Sequence, residues 1–528
     1  MELGLIKRGE ILRGLGANDA LWDVLIIGGG ATGLGAAVEA VSRGLRTVLV
    51  ERFDFAKGTS SRSTKLVHGG VRYLEQMNIT LVLDALRERG YMLRNAPHLV
   101  RNLGFVIPAY DYLSLPYYGV GLKVYELLSG KLSLGASKLL SRERTMEMLP
   151  GVKSDGLRGG ITYRDGQFDD ARYAIALLRT FQELGGTAIN YAEVVGLIEE
   201  GGKVVGATVR EAESGAEFVL AAKAVINATG VFTEELLRME GDAPKEHLLS
   251  VSQGSHIVLP REFLPGSSAL MIPKTSDGRV LFAIPWHDAV IVGTTDEGVP
   301  GSSVEPRAME KERSFLTEYV GRYMGRKPQA AEVRSLWSGL RPLVRKGGDA
   351  TSKLSRDHTI LVSPAGMITV TGGKWTTYRK MGEDAIDRVA EVHGLRTAKS
   401  TTATMRLHGW VAEPQDDAGE WERVYGADLP ALRALLATNA SWGEKLHARL
   451  PYRLGEVVWA ARFEMARTVE DVLARRTRAL FLDARAAIEA APAVARVLAE
   501  ELGRDDAWRE RDLENFYRVA GGYVYEES

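Results

Sequence analysis

A chain of 528 residues is longer than a single hydrophobic core usually supports, so two or three domains are expected. Its 67 Lys and Arg balance 68 Asp and Glu, a formal charge of −1 that offers no global attraction to nucleic acid. It has no cysteine, which excludes disulfides, thiolate nucleophiles and Cys-ligated zinc or iron–sulfur centres, and fits a reducing cytosol.

Residues 1–16 mix Lys7, Arg8, Glu10 and Arg13 among apolar side chains and lack the apolar core of a secretory signal. No stretch reaches the roughly 18 uninterrupted apolar residues of a membrane-crossing helix, so any membrane contact is expected to be peripheral. Trp22-Asp-Val-Leu-Ile-Ile-Gly28 is an apolar run ending in glycine and predicts a buried strand. Gly28, Gly30 and Gly33 then match G-x-G-x-x-G, a helical stretch spans 31–43, and Gly44 is placed to end it. Thr47-Val-Leu-Val50 predicts the second strand, with Glu51 at its end. In this layout Gly28 makes the tight turn, Gly30 admits a pyrophosphate and Gly33 permits close helix–strand packing. The pyrophosphate would sit on the helix N-terminus, and Glu51 would accept from the ribose hydroxyls. An acid at this position disfavours NADP, but the fingerprint alone leaves FAD and NAD open.

Much later, Lys223-Ala-Val-Ile-Asn-Ala-Thr-Gly230 is another apolar strand ending in a small-residue turn at Thr229 and Gly230. A nucleotide domain assembled from separated stretches is typical of two-part flavin folds, which favours FAD. No second G-x-G-x-x-G occurs in a strand–helix–strand unit, so a nicotinamide site is not expected. Electrons would then leave to quinone or oxygen.

The chain resembles the FAD-dependent, respiratory glycerol-3-phosphate dehydrogenases. The resemblance runs from about Trp22 to about Asp483, and its first signature after the dinucleotide motif is Thr59-Ser-Ser-Arg-Ser-Thr-Lys-Leu-Val-His-Gly-Gly-Val-Arg-Tyr-Leu-Glu75. It continues in order through Gln253-Gly-Ser-His256, Ile284-Pro-Trp286, Gly293-Thr-Thr-Asp296 and Trp337-Ser-Gly-Leu-Arg-Pro342. Ser355-Arg-Asp-His358 and Thr371-Gly-Gly-Lys-Trp-Thr-Thr-Tyr-Arg379 follow. Glu464-Met-Ala-Arg-Thr-Val-Glu-Asp-Val-Leu473 and Arg475-Arg-Thr-Arg478 look like the family's helical domain. The resemblance implies an α/β fold: a glutathione-reductase-like FAD-binding Rossmann domain, an antiparallel-sheet substrate domain and an all-helical C-terminal domain. It implies oxidation of sn-glycerol 3-phosphate to dihydroxyacetone phosphate, hydride leaving C2 for FAD and electrons passing to membrane quinone. The oxygen-using glycerol-phosphate oxidases are similar but carry an inserted segment, and no long polar insert occurs between Val251 and Arg341. The rivals are such an oxidase, an FAD-dependent 2-hydroxy acid oxidoreductase, and a flavin-bound scaffold without turnover.

A phosphate dianion calls for charge-assisted donors, and Arg341, Arg356 and Lys374 each stand in a Gly-, Ser- or Pro-punctuated turn. Arg72 is a fourth candidate. The C2 hydroxyl proton needs a base, for which His68, directly before two glycines, is the leading candidate. His256, on an apparent strand, and His358 rank behind it. Arg341 is the alternative group at the C2 oxygen, where it would stabilise developing negative charge. Ser60, Ser61 and Thr64 are expected near the diphosphate and ribityl chain. Gly372, Gly373, Lys374, Thr376 and Thr377 suggest a strand-to-helix turn facing the flavin pyrimidine, and Asp296 is expected to fix a loop. No metal site is expected.

The pattern divides the chain into a discontinuous FAD domain (21–74, 151–238 and 340–394), a substrate or cap domain (75–150 and 239–339) and a helical domain (396–528). Alternating stretches at 269–273, 280–285 and 290–294 suggest the substrate sheet, and 75–150 is expected to add helices. Residues 110–140, rich in Tyr and Leu with interspersed lysines, could lie on a membrane surface or simply cover the FAD domain. The resemblance places the protein in the cytoplasm at the inner face of the cell membrane, with quinone and lipid as partners and a homodimer as one assembly.

Overall fold

The computed structural model describes residues 8–16, 21–70, 79–241, 247–276, 278–345, 358–413 and 417–526. Trp22–Ile27 forms a strand buried at every position but Asp23, flanked in parallel by Thr47–Val50 and Glu217–Asn227. An unbroken Val, Leu and Ile run is what a strand covered on both faces requires. Thr187–Ile189 extends this parallel core on one side and Ile368–Gly372 on the other. His358–Val362 adds an antiparallel edge, and the hairpin of Ala192–Glu200 and Lys203–Glu211 pairs with the start of Glu217–Asn227.

Helix Ala31–Ser42 packs against helix Tyr378–His393 at backbone distance. A Cβ on Gly35 would lie 2.8 Å from the Tyr378 carbonyl oxygen, and one on Gly382 would lie 2.6 Å from that of Gly35. The small residues of the first helix therefore bring two segments far apart in sequence into one layer.

A second sheet is antiparallel except where Ala269–Ile272 runs parallel to Val100–Ala109. Its two longest ladders join Leu249–Pro260 to Ser335–Val344 and Val100–Ala109 to Gly159–Phe168. Gly159–Phe168 thus stands in the second sheet although it falls within the 151–238 stretch, and Ser335–Val344 spans the 339/340 boundary. The segment before residue 150 contributes helices Ile79–Asn95, Ser114–Ser129 and Arg142–Met148, together with strands Val100–Ala109 and Lys138–Leu140.

Beyond residue 428 the chain is helical, with Leu429–Ala437, Gly455–Phe463, Ala484–Leu502 and Asp506–Ala520 as its main helices. Ala484, Ala487, Ala491, Val494 and Leu498 recur at three- and four-residue spacing and bury one face. Asp483 caps that helix through Ala486 N–H, and Gly503 closes it in the left-handed region. The apolar core of this region runs on through Trp286 and Trp337 of the second sheet, so helices and sheet share one interior.

Candidate active site

Three parallel strands end side by side at Ile27, Asn227 and Gly372, and a cavity opens beyond their carboxyl ends. This is where open α/β sheets bind ligands. Gly28, Gly30, Glu51, Thr229, Gly230 and Gly373 line it. Gly28 has φ +110°, and a Cβ there would sit 2.6 Å from the Ala228 carbonyl oxygen. Gly33 lines neither cavity; a Cβ on it would meet the Gly28 carbonyl oxygen at 1.8 Å, so its role is to seat the helix on the strand. Glu51 accepts from Gly29 N–H at 2.6 Å and Phe53 N–H at 2.8 Å. Burial pushes its carboxyl above the usual range, and these two donors oppose that. Each oxygen retains a further lone pair for a ligand hydroxyl. Ser60 Oγ accepts from Ala31 N–H at 2.9 Å, satisfying one orphan donor of the helix N-terminus. Thr229 Oγ donates to Asn227 Oδ1 at 2.7 Å.

A second cavity adjoins the first, the two sharing Thr59, Pro342, Gly373, Lys374 and Trp375. Thr64, His68, His256, Arg279, Arg341, Lys374 and Thr376 contribute its polar lining, and Phe105, Tyr163, Met271 and Phe282 its apolar lining. The strand ladder sets Arg341 opposite Ser252. From there its guanidinium reaches Asp296 Oδ1 at 3.1 Å, Thr294 Oγ1 at 3.0 Å and the Thr295 carbonyl at 3.1 Å. A planar fork held by acceptors of fixed direction is pre-oriented in a way a lysine would not be. Asp296, which also accepts from the Ser252 hydroxyl, therefore orients Arg341.

His256 stacks on Trp337 with ring centroids 4.0 Å apart, and its Nε2 lies 2.9 Å from Thr64 Oγ1. Burial first, then the charges of Lys65 and Arg341, hold its pKa well below the ordinary histidine value, so the ring is neutral.

The structure brings His68, Arg341, Lys374, Thr64, Thr376 and Gly373 to this second cavity. Arg72 and Arg356 lie outside the described residues. Ser61 lines neither cavity: its carbonyl accepts from Lys65 Nζ at 2.8 Å and from Arg478 Nη2 at 2.9 Å. His358 is paired with Asp384 at 2.9 Å and lines neither cavity. Sequence reasoning missed Arg279 and Arg62, which line the cleft and pair with Glu297 and Glu305. Arg279 follows Gly278 just before strand Leu281–Trp286, a punctuated position like those that singled out Arg341.

Residues 23–379 match the family model of FAD dependent oxidoreductases, and 371–509 match that of the C-terminal domain of alpha-glycerophosphate oxidase. The mitochondrial glycerol-3-phosphate dehydrogenase of Homo sapiens is 40% identical over 94% of this chain and 73% of its own length. The probable mitochondrial enzyme of Caenorhabditis elegans is 40% identical over 97% and 74%. The chain belongs to the FAD-dependent glycerol-3-phosphate dehydrogenase family. The solved glycerol-3-phosphate dehydrogenase from Bacillus halodurans, complexed with FAD, superposes with TM-score 0.80 at 28% identity, over 98% of both chains. The alpha-glycerophosphate oxidase of Mycoplasma pneumoniae, at 18% identity and TM-score 0.58, covers 74% of this chain and shares the fold.

The first cavity of this family member fits FAD on its own evidence. Its floor is a backbone turn that a single Cβ would obstruct, and the acid at Glu51 stands at the end of the second strand. Thr371, on the cavity wall, has its Oγ1 buried without a hydrogen-bond partner among the described residues, a polar atom that a ligand would satisfy. Gly28, Gly30, Glu51, Ser60, Thr229, Gly230 and Gly373 line this cavity, where they could hold the cofactor.

Proposed function

We propose that this dehydrogenase oxidises sn-glycerol 3-phosphate to dihydroxyacetone phosphate in the second cavity and delivers the electrons to membrane quinone. The observation that supports it most is the cationic cleft of Arg341, Lys374 and Arg279 opening onto the nucleotide cavity at Gly373–Trp375. FAD, when bound, supplies the acceptor for the C2 hydride and the route of the electrons onward.

Lys374 and Arg279 offer charge-assisted donors to the phosphate, and Arg72 and Arg356 are assigned the same role on the sequence pattern. Arg341, held rigid by Asp296 and Thr294, places its positive charge at the cleft wall and stabilises negative charge developing on the C2 oxygen. His68 takes the hydroxyl proton. His256 is the less apt base, because burial and two nearby cations disfavour its charged form. It instead holds Thr64 in place at the cleft wall. Phe105, Tyr163 and Phe282 exclude water from the reacting face. We assign the FAD, substrate and helical domains to the ranges expected from the sequence, with Gly159–Phe168 joining the substrate sheet.

Lipid contact is assigned to helix Ser114–Ser129. Leu113, Tyr117, Val120, Val124 and Leu127 recur at three- and four-residue spacing, and Leu113 and Leu127 are 83% and 79% exposed. The opposite face buries Leu122, Tyr125 and Ser129. A helix apolar on its outward face is fitted to lie in a lipid surface. No helix among the described residues is long and apolar enough to cross a membrane.

Anaerobic titration of the flavin-loaded protein with glycerol 3-phosphate tests the assignment. The expected result is prompt loss of the visible absorbance of oxidised flavin, persisting until a quinone is added. Unchanged absorbance would overturn the substrate, and rapid recovery with oxygen alone would favour the oxidase.

A further inference from the structure

The segment between the two cavities, residues 59–64, is fastened at every position. Thr59 Oγ1 donates to the Leu340 carbonyl at 2.6 Å, and the Ser60 carbonyl accepts from Trp375 Nε1 at 2.8 Å. Arg62 pairs with Glu305 at 2.6 Å. Ser63 donates to Asp170 Oδ2 through both N–H (3.0 Å) and hydroxyl (2.7 Å), and Thr64 meets His256. The remaining position, Ser61, is gripped through its carbonyl by Lys65 and by Arg478, a residue 417 positions away in the helical region.

Arg478 is buried, in the left-handed region at φ +66°, just after the π-helical turn Asp471–Arg476. Its guanidinium donates to Ala474 O at 2.6 Å, Ser61 O at 2.9 Å and Asp170 Oδ1 at 3.0 Å, and lies 4.3 Å from the Phe481 ring centroid. Lys65 reaches the same two partners, Ser61 O at 2.8 Å and Asp170 Oδ2 at 2.7 Å. The two cations are unequal. Burial outweighs the Asp170 carboxylate and brings the Lys65 ammonium down to about 7. At neutral pH it is charged only part of the time, whereas a guanidinium does not deprotonate in proteins.

We propose that Arg478 is a positioning residue for the oxidation, through which the helical region holds Ser61 and Asp170 and thereby keeps Thr64 on His256 at the wall of the substrate cleft. The inference rests on the cleft assigned above and gives the helical region a part in the reaction. A fork is required because three acceptors in different directions must be met at once; an ammonium on a flexible stem meets fewer of them at fixed angles.

The test is rapid anaerobic mixing of the flavin-loaded protein with glycerol 3-phosphate, for the parent, Arg478→Met, Thr64→Val and the double variant. Arg478→Met should retain flavin yet lose about tenfold in the limiting bleaching rate, since small displacements in a reacting site carry penalties of this order. The substrate concentration for half-maximal rate should change far less. Thr64→Val should add little in the Arg478→Met background, because both substitutions release the same contact. A parent-like rate in Arg478→Met, or effects that multiply independently, overturns the inference. Should Arg478→Met fail to fold, Arg478→Lys decides: a slowed limiting rate supports the proposal and a parent-like rate overturns it. A parent that does not bleach removes the substrate assignment and this inference with it. A parent that bleaches no faster than a folded Arg478→Met removes the inference alone.

Discussion

The nucleotide cradle and the seam where the helical region meets it are built by opposite means. The cradle is backbone: a glycine turn, free amides at a helix end, and Glu51 accepting from two N–H groups. The seam is buried charge. Arg476 straddles Asp54 at 2.6 and 2.9 Å, Arg172 meets Glu464 through two contacts of 2.8 Å, and Lys57 meets Glu470 at 2.7 Å. Desolvating each of these ions costs several kcal/mol, which the pairing must offset, so the seam is weak evidence of stability and strong evidence of register. Both ends of segment 54–61 are tied to one short stretch, 475–478: Asp54 to Arg475 and Arg476, Ser61 to Arg478. A glycine turn needs only its own neighbours to be correct. A buried ion pair needs two distant segments placed together, and it penalises every arrangement that leaves one ion alone.

The comparison is broken most severely at the cradle. In Gly33→Ala the new methyl would have to share space with the Gly28 carbonyl, and neither partner is a flexible side chain. The expected outcome is protein without flavin, or none that folds, scored as the ratio of flavin to protein after purification. A stoichiometric yellow protein would mean that the turn is far more plastic than its close contacts imply. At the seam, Asp54→Ala takes the bidentate carboxylate from buried Arg476, while Arg475 keeps Glu470 and Asp471, and should cost about 3–5 kcal/mol, seen as a lowered apparent Tm. Burial alone would raise the Asp54 carboxyl, but Arg476 and Arg475 outweigh it and hold it below the usual 3.8. Its contribution is therefore present above pH 3.8 and lost as pH falls through the depressed value. In the cleft, Arg341→Lys keeps the charge and loses the fork, so kcat/KM should fall by about ten- to a hundredfold (~1–3 kcal/mol) with flavin content unchanged. An unchanged kcat/KM would remove Arg341 from the reaction.

What was legible follows the same division. Gly28, Gly30, Gly33 and Glu51 were readable because strand, turn, helix and strand are contiguous, and each glycine answers a local steric demand. The turns at Thr229–Gly230 and Gly373 were readable for the same reason, although they join the first turn only in space. The cleft was readable in part. Arg341 announced itself by its punctuated setting, but strand register, which sequence pattern does not fix, decides that it meets Asp296 and Thr294. His256 was ranked behind His68 without its facing side being readable, since alternate residues of a strand face opposite ways and the facing side is a tertiary fact. The seam was legible only as a family-like block, without its partners. Arg475-Arg-Thr-Arg478 has the look of a solvated basic run, yet Arg475, Arg476 and Arg478 are each at most 2% exposed and find partners more than 300 residues away. Ser61 was chosen for its hydroxyl, whereas the structure uses its carbonyl.

One contact across the same boundary differs from the arginine pairs in being able to titrate. His408 sits between helix Asp170–Glu183 and the helical region, its Nδ1 2.6 Å from Glu183 and its Nε2 2.7 Å from Asp428. A neutral imidazole has one N–H donor and so satisfies only one of these carboxylates; the doubly protonated ring satisfies both. Burial favours the neutral form, and Arg179 does too, but the two carboxylates prevail and raise the pKa to about 9. Because the folded value lies above the unfolded one of about 6.5, the stabilisation is complete below pH 6.5 and disappears as pH rises through 9. Its full size is about 3 kcal/mol. Apparent Tm of the parent and of His408→Gln, compared from pH 6 to 9.5, should differ at the acid end and converge at the alkaline end. A gap that stays constant with pH would show that His408 acts by packing rather than by charge. It would leave the boundary held by pairs that do not respond to pH in this range.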